Sequence, residues 1–393
     1  MRVHLALTFG LLFLLSGSTP AAGQHKSDAV EAQIDAIFSG VTQPGDPGLA
    51  VLVKKEGKVF FDKGYGVREL RSRGKIDPGT NFRLASFTKQ FTAMAIMLLI
   101  HDGKLHYEDR LTDVFPEFPD YGQPITIRHL LTHTSGLPDY ESLMEQEEKV
   151  KGPVWSQQHQ IQDSEVLELL EKQSYGKFAP GADWAYSNSG YVVLGLIVAK
   201  VSGKPYRDFL QARIFKPAGM KHSIVFEKGI NQIRNRAFGH SKEKDQFVEA
   251  DQSPTSATLG DGGIYSNLDD LSKWDDALRN HTLLSENEMS LALSATTLAD
   301  GSEPHWPTRP DDDNLAPGRP VSYGFGWFLD PYKDHPRMWH TGGTMGFRTV
   351  IQRFTFDPVT IIILCNRLDL DPKSLAEKTA DLILPAVPSV APK

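Results

Sequence analysis

The 393-residue sequence contains a single cysteine, Cys365. One cysteine cannot form an intramolecular disulfide, and it cannot supply a cysteine-based zinc site or an iron–sulfur cluster. Positive charge is also scarce, since 42 lysines and arginines face 49 aspartates and glutamates, for a formal net charge of −7. Because nucleic-acid binding needs a basic face, we expect no nucleic-acid partner.

Long apolar runs are missing after the N-terminus. The run Leu5–Leu15 has about half of the roughly 20 residues that span a membrane. It follows Arg2 and precedes small residues, as the core of a signal peptide does. We predict a signal peptide over residues 1–23, cleaved before Gln24, and the alternative is a buried N-terminal helix. Residues 24–393 are then expected to form one exported domain, periplasmic or secreted, with no stable membrane anchor.

Strand patterns lie at both ends of the chain, and helix patterns lie between them. Four strands are predicted near the ends, at residues 49–53, 59–61, 347–354 and 359–364. Helical periodicity or capping marks the middle, near residues 86–101, 164–173, 189–201, 205–214 and 266–279. A first helix is predicted from the N-cap Ser27 to Gly40, and a last helix at 374–384.

This order of elements predicts an α/β fold. An antiparallel sheet closed by the two ends of the chain is flanked by terminal helices and carries an inserted all-helical lobe. A pocket is expected where the sheet and the lobe meet. Residues 300–320 carry five prolines and three consecutive aspartates, too irregular for a core element. They form either a solvated surface loop or a flap over the pocket.

Several catalytic signatures are absent, namely the GxSxG elbow, the Walker phosphate loop, GxGxxG and HExxH. The pattern S-x-x-K is present four times, beginning at Ser72, Ser86, Ser174 and Ser241. The segment from Ser86 to Lys89 opens an apolar helix, whereas the other three lie in glycine-containing or polar stretches. Ser86 is therefore the candidate nucleophile.

The spacing of Ser86 and Lys89 suits nucleophilic catalysis. Three residues apart on a helix, the two side chains share one face, and the positive end of the helix dipole favours an oxyanion there. A lysine near a serine in a desolvated site loses its proton more easily or stabilises the alkoxide. The alternative is structural, with Ser86 as a helix N-cap and Lys89 as a solvated residue of the first turn.

The tripeptide Tyr-Ser-Asn occurs twice, at residues 186–188 and 265–267. A phenol beside the nucleophile can act as a general base when a nearby cation lowers its pKa, and an asparagine amide can hold a substrate carbonyl and the lysine. In the second copy, Ser266 opens a predicted capping box, which favours a structural role. We therefore favour Tyr186 and Asn188.

The segment His340-Thr341-Gly342-Gly343 directly precedes the C-terminal strands. Its glycines let a substrate approach the backbone, and its N–H groups can face an oxyanion. These four residues are therefore candidate substrate-binding residues. The alternative is a glycine-rich hairpin turn.

Three motifs in this order resemble the serine β-lactamase and penicillin-binding-protein superfamily: Ser86-x-x-Lys89, Tyr186-x-Asn188 and His340-Thr341-Gly342. Within it, the chain resembles the branch of class C β-lactamases, D-alanyl-D-alanine carboxypeptidases and their esterase relatives. Residues 127–137, 262–266 and 323–327 are similar to further stretches of that branch. The resemblance spans about residues 28–385. It implies a β-lactamase/transpeptidase-like fold and a serine hydrolase without a cofactor or metal.

The resemblance also implies a role for each matching residue. Ser86 is expected to be the acylated nucleophile, Lys89 its cationic partner, and Tyr186 the general base and later acid. Asn188 is expected to contact the substrate amide, and the backbone N–H groups of Ser86 and Gly343 to form the oxyanion hole. The expected substrate is a β-lactam, a D-Ala-D-Ala peptide derived from peptidoglycan, or a small ester. A non-hydrolytic sensor that binds penicillin or peptidoglycan is the alternative.

Three histidines need separate comment. Many β-lactamases have lysine where this chain has His340. The resemblance implies that this position meets a substrate carboxylate. Because histidine has an ordinary pKa of about 6.5, we expect anionic substrates to bind more weakly as the pH rises from about 6 to 8. His129 and His133, four residues apart on a possible helix, mimic a metal-binding pair. The resemblance implies a structural role for their segment, so we expect no metal site there.

Overall fold

The computed structural model of the chain describes residues 22–309 and 315–385. The predicted signal peptide falls almost entirely outside these residues, so its cleavage and the export of the chain stay predictions. None of the helices in the described ranges combines the length and the apolar character needed to cross a membrane.

In the described residues, runs of strands near both ends of the chain enclose a region in which most of the helices lie. Strands β1 to β11 are Leu49–Lys55, Lys58–Tyr65, Phe82–Arg83, Ile224–Val225, His240–Glu243, Gln246–Glu249, Ile264–Ser266, Phe328–Leu329, Arg337–Thr344, Phe347–Phe354 and Val359–Cys365. Helices α1 to α11 are Ala22–Ser39, Lys89–His101, Leu111–Val114, Ile127–Leu131, Tyr140–Lys151, Asp163–Glu171, Asn188–Ser202, Tyr206–Leu210, Leu268–Arg279, Glu286–Met289 and Pro372–Ile383. Shorter turns are the 3-10 segments Ala85–Thr88 and Asp120–Gly122 and the π-helical segment Gln211–Phe215.

The main sheet has six antiparallel strands in the order β2-β1-β11-β10-β9-β8. Strand β1 pairs with β11 along its whole length, from Leu49 opposite Cys365 to Lys55 opposite Val359. The two ends of the chain therefore close one sheet, which confirms the predicted fold class.

Both faces of this sheet are covered. Val51 and Val53 of β1 point to one face, where they join the core formed by α1 and α11. Ala50 and Leu52 point to the other face, where they join the core of the lobe, because successive side chains of a strand alternate. Strands buried on both faces read as continuous apolar runs, and this explains the sequences of β1 and β11.

Helix α2 is the central helix of the lobe. Its residues Phe91–Leu99 are all buried, and it packs against α7. A helix that is apolar on every side belongs inside a protein. This burial fixes the N-terminal end of α2, with Ser86 just before it, between the lobe and the sheet.

Two local predictions are wrong. Helix α1 begins at Ala22, so Ser27 lies inside the helix, where its hydroxyl donates to Glu31 at 3.2 Å, and it is not an N-cap. The inserted region also contains a three-stranded sheet, β3-β7-β4, and the hairpin β5–β6. These strands have two to four residues, too few for a periodic pattern to reveal them.

The proline-rich stretch 300–320 is described except for residues 310–314. Trp306 and Val321 are buried in an aromatic cluster, whereas Arg319 is exposed. A fully solvated loop is therefore the wrong description of these flanks, which border the cavity described below.

Candidate active site

The candidate nucleophile lies in a tight turn in front of a helix. Ser86 belongs to the 3-10 turn that precedes α2, and the N-cap of α2 is Thr88, with no side-chain capping bond. Ser86 is therefore not the helix cap that the structural alternative requires. Its side chain is half-buried and lines a cavity of about 1010 Å³.

Two hydrogen bonds to the backbone of Leu84 hold this turn in place. The carbonyl of Leu84 accepts a hydrogen bond from Thr349 Oγ1 at 2.8 Å, and its N–H donates to the carbonyl of Ile264 at 2.8 Å. Between Leu84 and Ser86, Ala85 has a φ of 51°, in the left-handed region that residues other than glycine rarely adopt. Such strain persists only where the surrounding structure imposes it, often at functional sites.

Lys89 is fully buried at the centre of the site. Its Nζ donates to Ser86 Oγ at 3.1 Å, to Asn188 Oδ1 at 2.8 Å and to the carbonyl of Asp261 at 3.2 Å. The ring of Tyr186 lies 4.9 Å from the same nitrogen. The structure thus brings together the serine, lysine, tyrosine and asparagine that the sequence singles out.

The first Tyr-Ser-Asn copy reaches the site because α7 starts within it. Ser187 caps α7 by accepting the N–H of Gly190 at 3.0 Å. Asn188 is the first helical residue, and Tyr186 lies just outside the helix and lines the cavity. The N–H of Ser187 donates to His133 Nδ1 at 3.0 Å.

The second copy lies elsewhere. Tyr265 is buried on β7, does not line the cavity, and accepts a hydrogen bond from Arg236 Nη2 at 3.1 Å. The predicted capping box is wrong by one residue, because Asn267 and not Ser266 caps α9, by accepting the N–H of Asp270 at 2.9 Å. The structural role expected for this copy nevertheless agrees with its place in the core.

Residues 340–343 lie inside strand β9, not in a hairpin turn. Gly342 is buried, and a Cβ placed on it would lie 2.0 Å from the carbonyl oxygen of Leu84. Only glycine lets the strand approach the nucleophile turn this closely. Thr341 and Gly343 line the cavity together with Ser86.

His340 is buried and neutral, which corrects the expectation that it titrates near neutral pH. Its Nδ1 donates to the carbonyl of Thr341 at 2.6 Å, and its Nε2 accepts from the hydroxyl of Tyr323 at 3.2 Å. Burial, with a contribution from the charge of Lys89, lowers the pKa of His340 to about 3. The metal-pair alternative fails as well, because His129 lies on α4 but His133 follows it with a φ of 62°, so the two do not share a helix face.

The sequence analysis assigns no role at the site to three further groups. They are the carbonyl of Asp261, which holds Lys89, the imidazole of His133, which holds Ser187, and the guanidinium of Arg348, which lines the cavity. Asp261 precedes Gly262, the first residue of a segment that the resemblance marks. A backbone acceptor has no sequence signature, so position alone could have indicated it.

The fold and the Ser86–Lys89 pair define a serine hydrolase of the β-lactamase/transpeptidase fold. The Beta-lactamase family model matches residues 32–384, and the chain belongs to this family. Penicillin-binding protein 4* of Bacillus subtilis (strain 168) is 30% identical over 374 residues, covering 92% of this chain and 77% of that protein.

Solved structures agree on the fold. An octameric penicillin-binding protein homologue from Pyrococcus abyssi matches with a TM-score of 0.73 at 25% identity, over 91% of this chain and 77% of that one. The D-amino acid amidase from Ochrobactrum anthropi SV3 matches with a TM-score of 0.73 at 23% identity, over 91% and 98% of the two chains. These relatives confirm the resemblance to the superfamily and the assignment as an enzyme.

Proposed function

We propose that the protein cleaves amide or ester bonds by acyl transfer through Ser86, on β-lactams, D-Ala-D-Ala peptides or small esters, in the periplasm or outside the cell. The observation that carries this proposal is the position of Lys89, whose Nζ is 3.1 Å from Ser86 Oγ at the wall of an open cavity. An ammonium at this distance stabilises a developing alkoxide more strongly in a buried site than in water.

The proposed catalytic sequence combines the contacts of Lys89 with the roles that the family resemblance implies for Tyr186 and Gly343. Ser86 Oγ attacks the substrate carbonyl and passes its proton to the phenolate form of Tyr186, while Lys89 stabilises the negative charge on Oγ. The oxyanion of the tetrahedral intermediate faces the N–H groups of Ser86 and Gly343. The leaving group departs with the proton from Tyr186, and water then attacks the acyl-enzyme by the same route, which releases the acid and restores Ser86.

A cation at the cavity wall supports substrates that carry a carboxylate. Arg348 on β10 pairs across the strands with Gly343 on β9. A Cβ placed on Gly343 would lie 2.4 Å from Arg348 Nη1, so the guanidinium covers this glycine. Among the described residues, the guanidinium of Arg348 has neither a hydrogen-bond nor an ion-pair partner, and a guanidinium fork fits a carboxylate. Because His340 is neutral, we assign to Arg348 the contact with a substrate carboxylate that was expected of His340.

Export is part of the proposal and has its own test. The apolar run Leu5–Leu15 after Arg2 supports it. The full-length gene product, expressed with a C-terminal tag in a bacterial host, is expected in the extracytoplasmic fraction with Gln24 as its first residue. A cytoplasmic protein that retains residues 1–23 would overturn this part alone.

The chemistry is tested with the purified protein, a fluorophosphonate probe, and three substrates: nitrocefin, p-nitrophenyl acetate and a D-Ala-D-Ala peptide. Ser86→Ala is expected to abolish both labelling and turnover, and Ser72→Ala is the matched control because its serine also begins an S-x-x-K pattern. Turnover that survives Ser86→Ala would overturn the proposal. A penicillin label that stays on Ser86, with no turnover of any substrate, would favour the sensor instead.

A further inference from the structure

His133 has no chemical role in the proposed mechanism, yet it lies against Tyr186. Its ring is fully buried, and its centre is 4.5 Å from the centre of the Tyr186 ring. Three more aromatic rings surround it at centre-to-centre distances of 5.7, 5.1 and 4.6 Å: Trp184, Tyr191 and Tyr323. His133 does not line the cavity, so it is not placed to touch a substrate.

His133 holds the backbone on both sides of Tyr186. Its carbonyl oxygen accepts the N–H of Ala185 at 3.0 Å, and its Nδ1 accepts the N–H of Ser187 at 3.0 Å. One residue therefore holds the Trp184–Ala185 peptide on one side of Tyr186 and the Tyr186–Ser187 peptide on the other. Because Ser187 caps α7, the same contact also fixes the start of the helix that carries Asn188.

This arrangement requires a neutral imidazole. The partner of Nδ1 is an N–H donor, so Nδ1 has no proton and the proton is assigned to Nε2. Burial, with a contribution from the charge of Lys89, keeps the pKa of His133 well below its ordinary value. The backbone of His133 is strained as well, with a φ of 62°, which asparagine tolerates better than most residues.

We propose that His133 is a positioning residue that clamps the backbone on both sides of Tyr186 and thereby fixes the phenol relative to Ser86 and Lys89. This inference rests on the proposed role of Tyr186 as general base. Displacing a reacting group by about 1 Å can cost on the order of 10²-fold in rate, so loss of the clamp should slow acyl transfer without removing any reacting atom.

The competing description is a histidine that only fills the core. His240 is a matched control for it: it is fully buried, its Nδ1 donates to the carbonyl of Asn366 at 3.1 Å, and its Nε2, like that of His133, is buried without a hydrogen-bond partner among the described residues. His240 does not line the cavity. A leucine at each position therefore separates the general cost of losing a buried imidazole from the loss of the Nδ1 contact to Ser187, since His133→Leu keeps the carbonyl contact to Ala185.

The first experiment compares His133→Leu with His133→Asn on p-nitrophenyl acetate, with kcat, KM and Tm measured for each. Leucine removes the acceptor, and kcat is expected to fall about 10- to 100-fold with little change in KM. Asparagine offers an acceptor oxygen near the position of Nδ1 and is expected to recover most of the loss. His240→Leu is expected to lower Tm and leave kcat unchanged.

If His133→Leu does not fold, His133→Gln replaces it, because glutamine keeps the amide but places its oxygen one methylene too far from Ser187. The glutamine variant is expected to have a lower kcat than the asparagine variant. The inference is overturned by an unchanged kcat in His133→Leu (or its glutamine substitute), by an asparagine variant that is no faster, or by an equal loss of kcat in His240→Leu.

A double variant shows whether His133 acts through the tyrosine. If it does, Tyr186→Phe with His133→Leu should be about as slow as Tyr186→Phe alone, since no phenol remains to be positioned. If the losses in kcat of the two single variants multiply in the double variant, the proposed clamp is overturned. Full activity in Tyr186→Phe would instead contradict the general-base role of Tyr186, so the two failures are distinguishable.

Discussion

The tripeptide Tyr-Ser-Asn occurs in two regions of the molecule, and its two asparagines do different things. In the first copy, Ser187 caps α7, so Asn188 is inside the helix and its Oδ1 accepts a hydrogen bond from Lys89. In the second copy the helix starts one residue later, and Asn267 itself is the cap of α9. This one-residue difference decides whether the amide meets the lysine or the backbone.

The two tyrosines differ for the same kind of reason. Tyr186 precedes a helix at the cavity wall and is half-buried, whereas Tyr265 lies on a strand between β3 and β4. Burial raises the pKa of Tyr265, and Arg236 donates to its hydroxyl. A buried, hydrogen-bonded phenol is a core residue. The same three residues therefore lie beside the candidate nucleophile only where tertiary contacts start the helix next to Ser86.

The largest effect that tests this comparison comes from removing each phenol hydroxyl. Tyr186→Phe is expected to lower the acylation rate about 10²- to 10⁴-fold, the usual contribution of a positioned general acid–base. Tyr265→Phe should leave the rate nearly unchanged and cost about 1 kcal/mol of stability from the lost hydrogen bond. Stopped-flow acylation and thermal unfolding measure the two quantities. Equal rate losses would break the comparison.

The asparagines should separate activity from stability. Asn188→Ala removes the hydrogen bond to a buried ammonium, worth roughly 1.5–3 kcal/mol, so kcat/KM should fall about 10- to 100-fold. Asn267→Ala removes a helix cap and should lower the free energy of unfolding by about 0.5–2 kcal/mol while kcat/KM holds. Urea titration and steady-state kinetics on both variants test this. A cap variant that loses activity without losing stability would contradict it.

An arginine near each copy allows a finer comparison. Arg236 is already bonded to Asp251 Oδ2 at 2.5 Å and to Tyr265, whereas Arg348 faces the cavity. Arg348→Gln is expected to lower the ratio of kcat/KM for nitrocefin to that for p-nitrophenyl acetate about tenfold, the effect of losing one charge-assisted contact. Arg236→Gln should lower Tm without moving this ratio. A ratio that does not respond to Arg348→Gln would remove the carboxylate contact from the mechanism.

The sequence predicts the longest elements of the fold. Strands β1, β2, β10 and β11 and helices α2 and α7 each contain an apolar run that can be recognised in the sequence. Strand β9 escapes prediction since its glycines, Gly342 and Gly343, indicate a turn when read locally. In the structure both lie in β9, which pairs with β10, and position 342 needs a glycine because Leu84 occupies the space of a side chain.

The site was predictable where its residues fall in short motifs, even where those motifs lie far apart in the sequence, as Ser86-x-x-Lys89 and Tyr186-x-Asn188 do. The spacing of Ser86 and Lys89 indicates the pair directly. The left-handed φ of Ala85 cannot be predicted from the sequence, because alanine does not favour that conformation. It is imposed by the hydrogen bonds that Thr349 and Ile264 make with Leu84, the residue before it. The sequence does not show that His340 is buried by residues distant in the chain, so it predicts an ordinary histidine pKa for this residue.

The smallest expected effect concerns this histidine, which lies beside the first copy with its ring centre 6.1 Å from that of Tyr186. Because the pKa of His340 is lowered to about 3, it stays neutral from pH 5 to 8, and KM for nitrocefin should not change through its titration. The unfolded chain, with a histidine pKa of about 6.5, binds this proton first, so acidification below that value should lower the free energy of unfolding.

His340→Gln checks both statements, because it removes the titrating group while it keeps a polar side chain. Its KM profile for nitrocefin should match that of the wild type between pH 5 and 8. Its unfolding free energy should fall less steeply than the wild type's on going from pH 6.5 to pH 5, since one proton fewer is taken up on unfolding. A wild-type KM that rises from pH 6 to 8 and becomes flat in His340→Gln would mean that His340 is charged in the folded protein. The first Tyr-Ser-Asn region would then have a second cation beside Tyr186, in addition to Lys89, and the burial of His340 argues against such a charge.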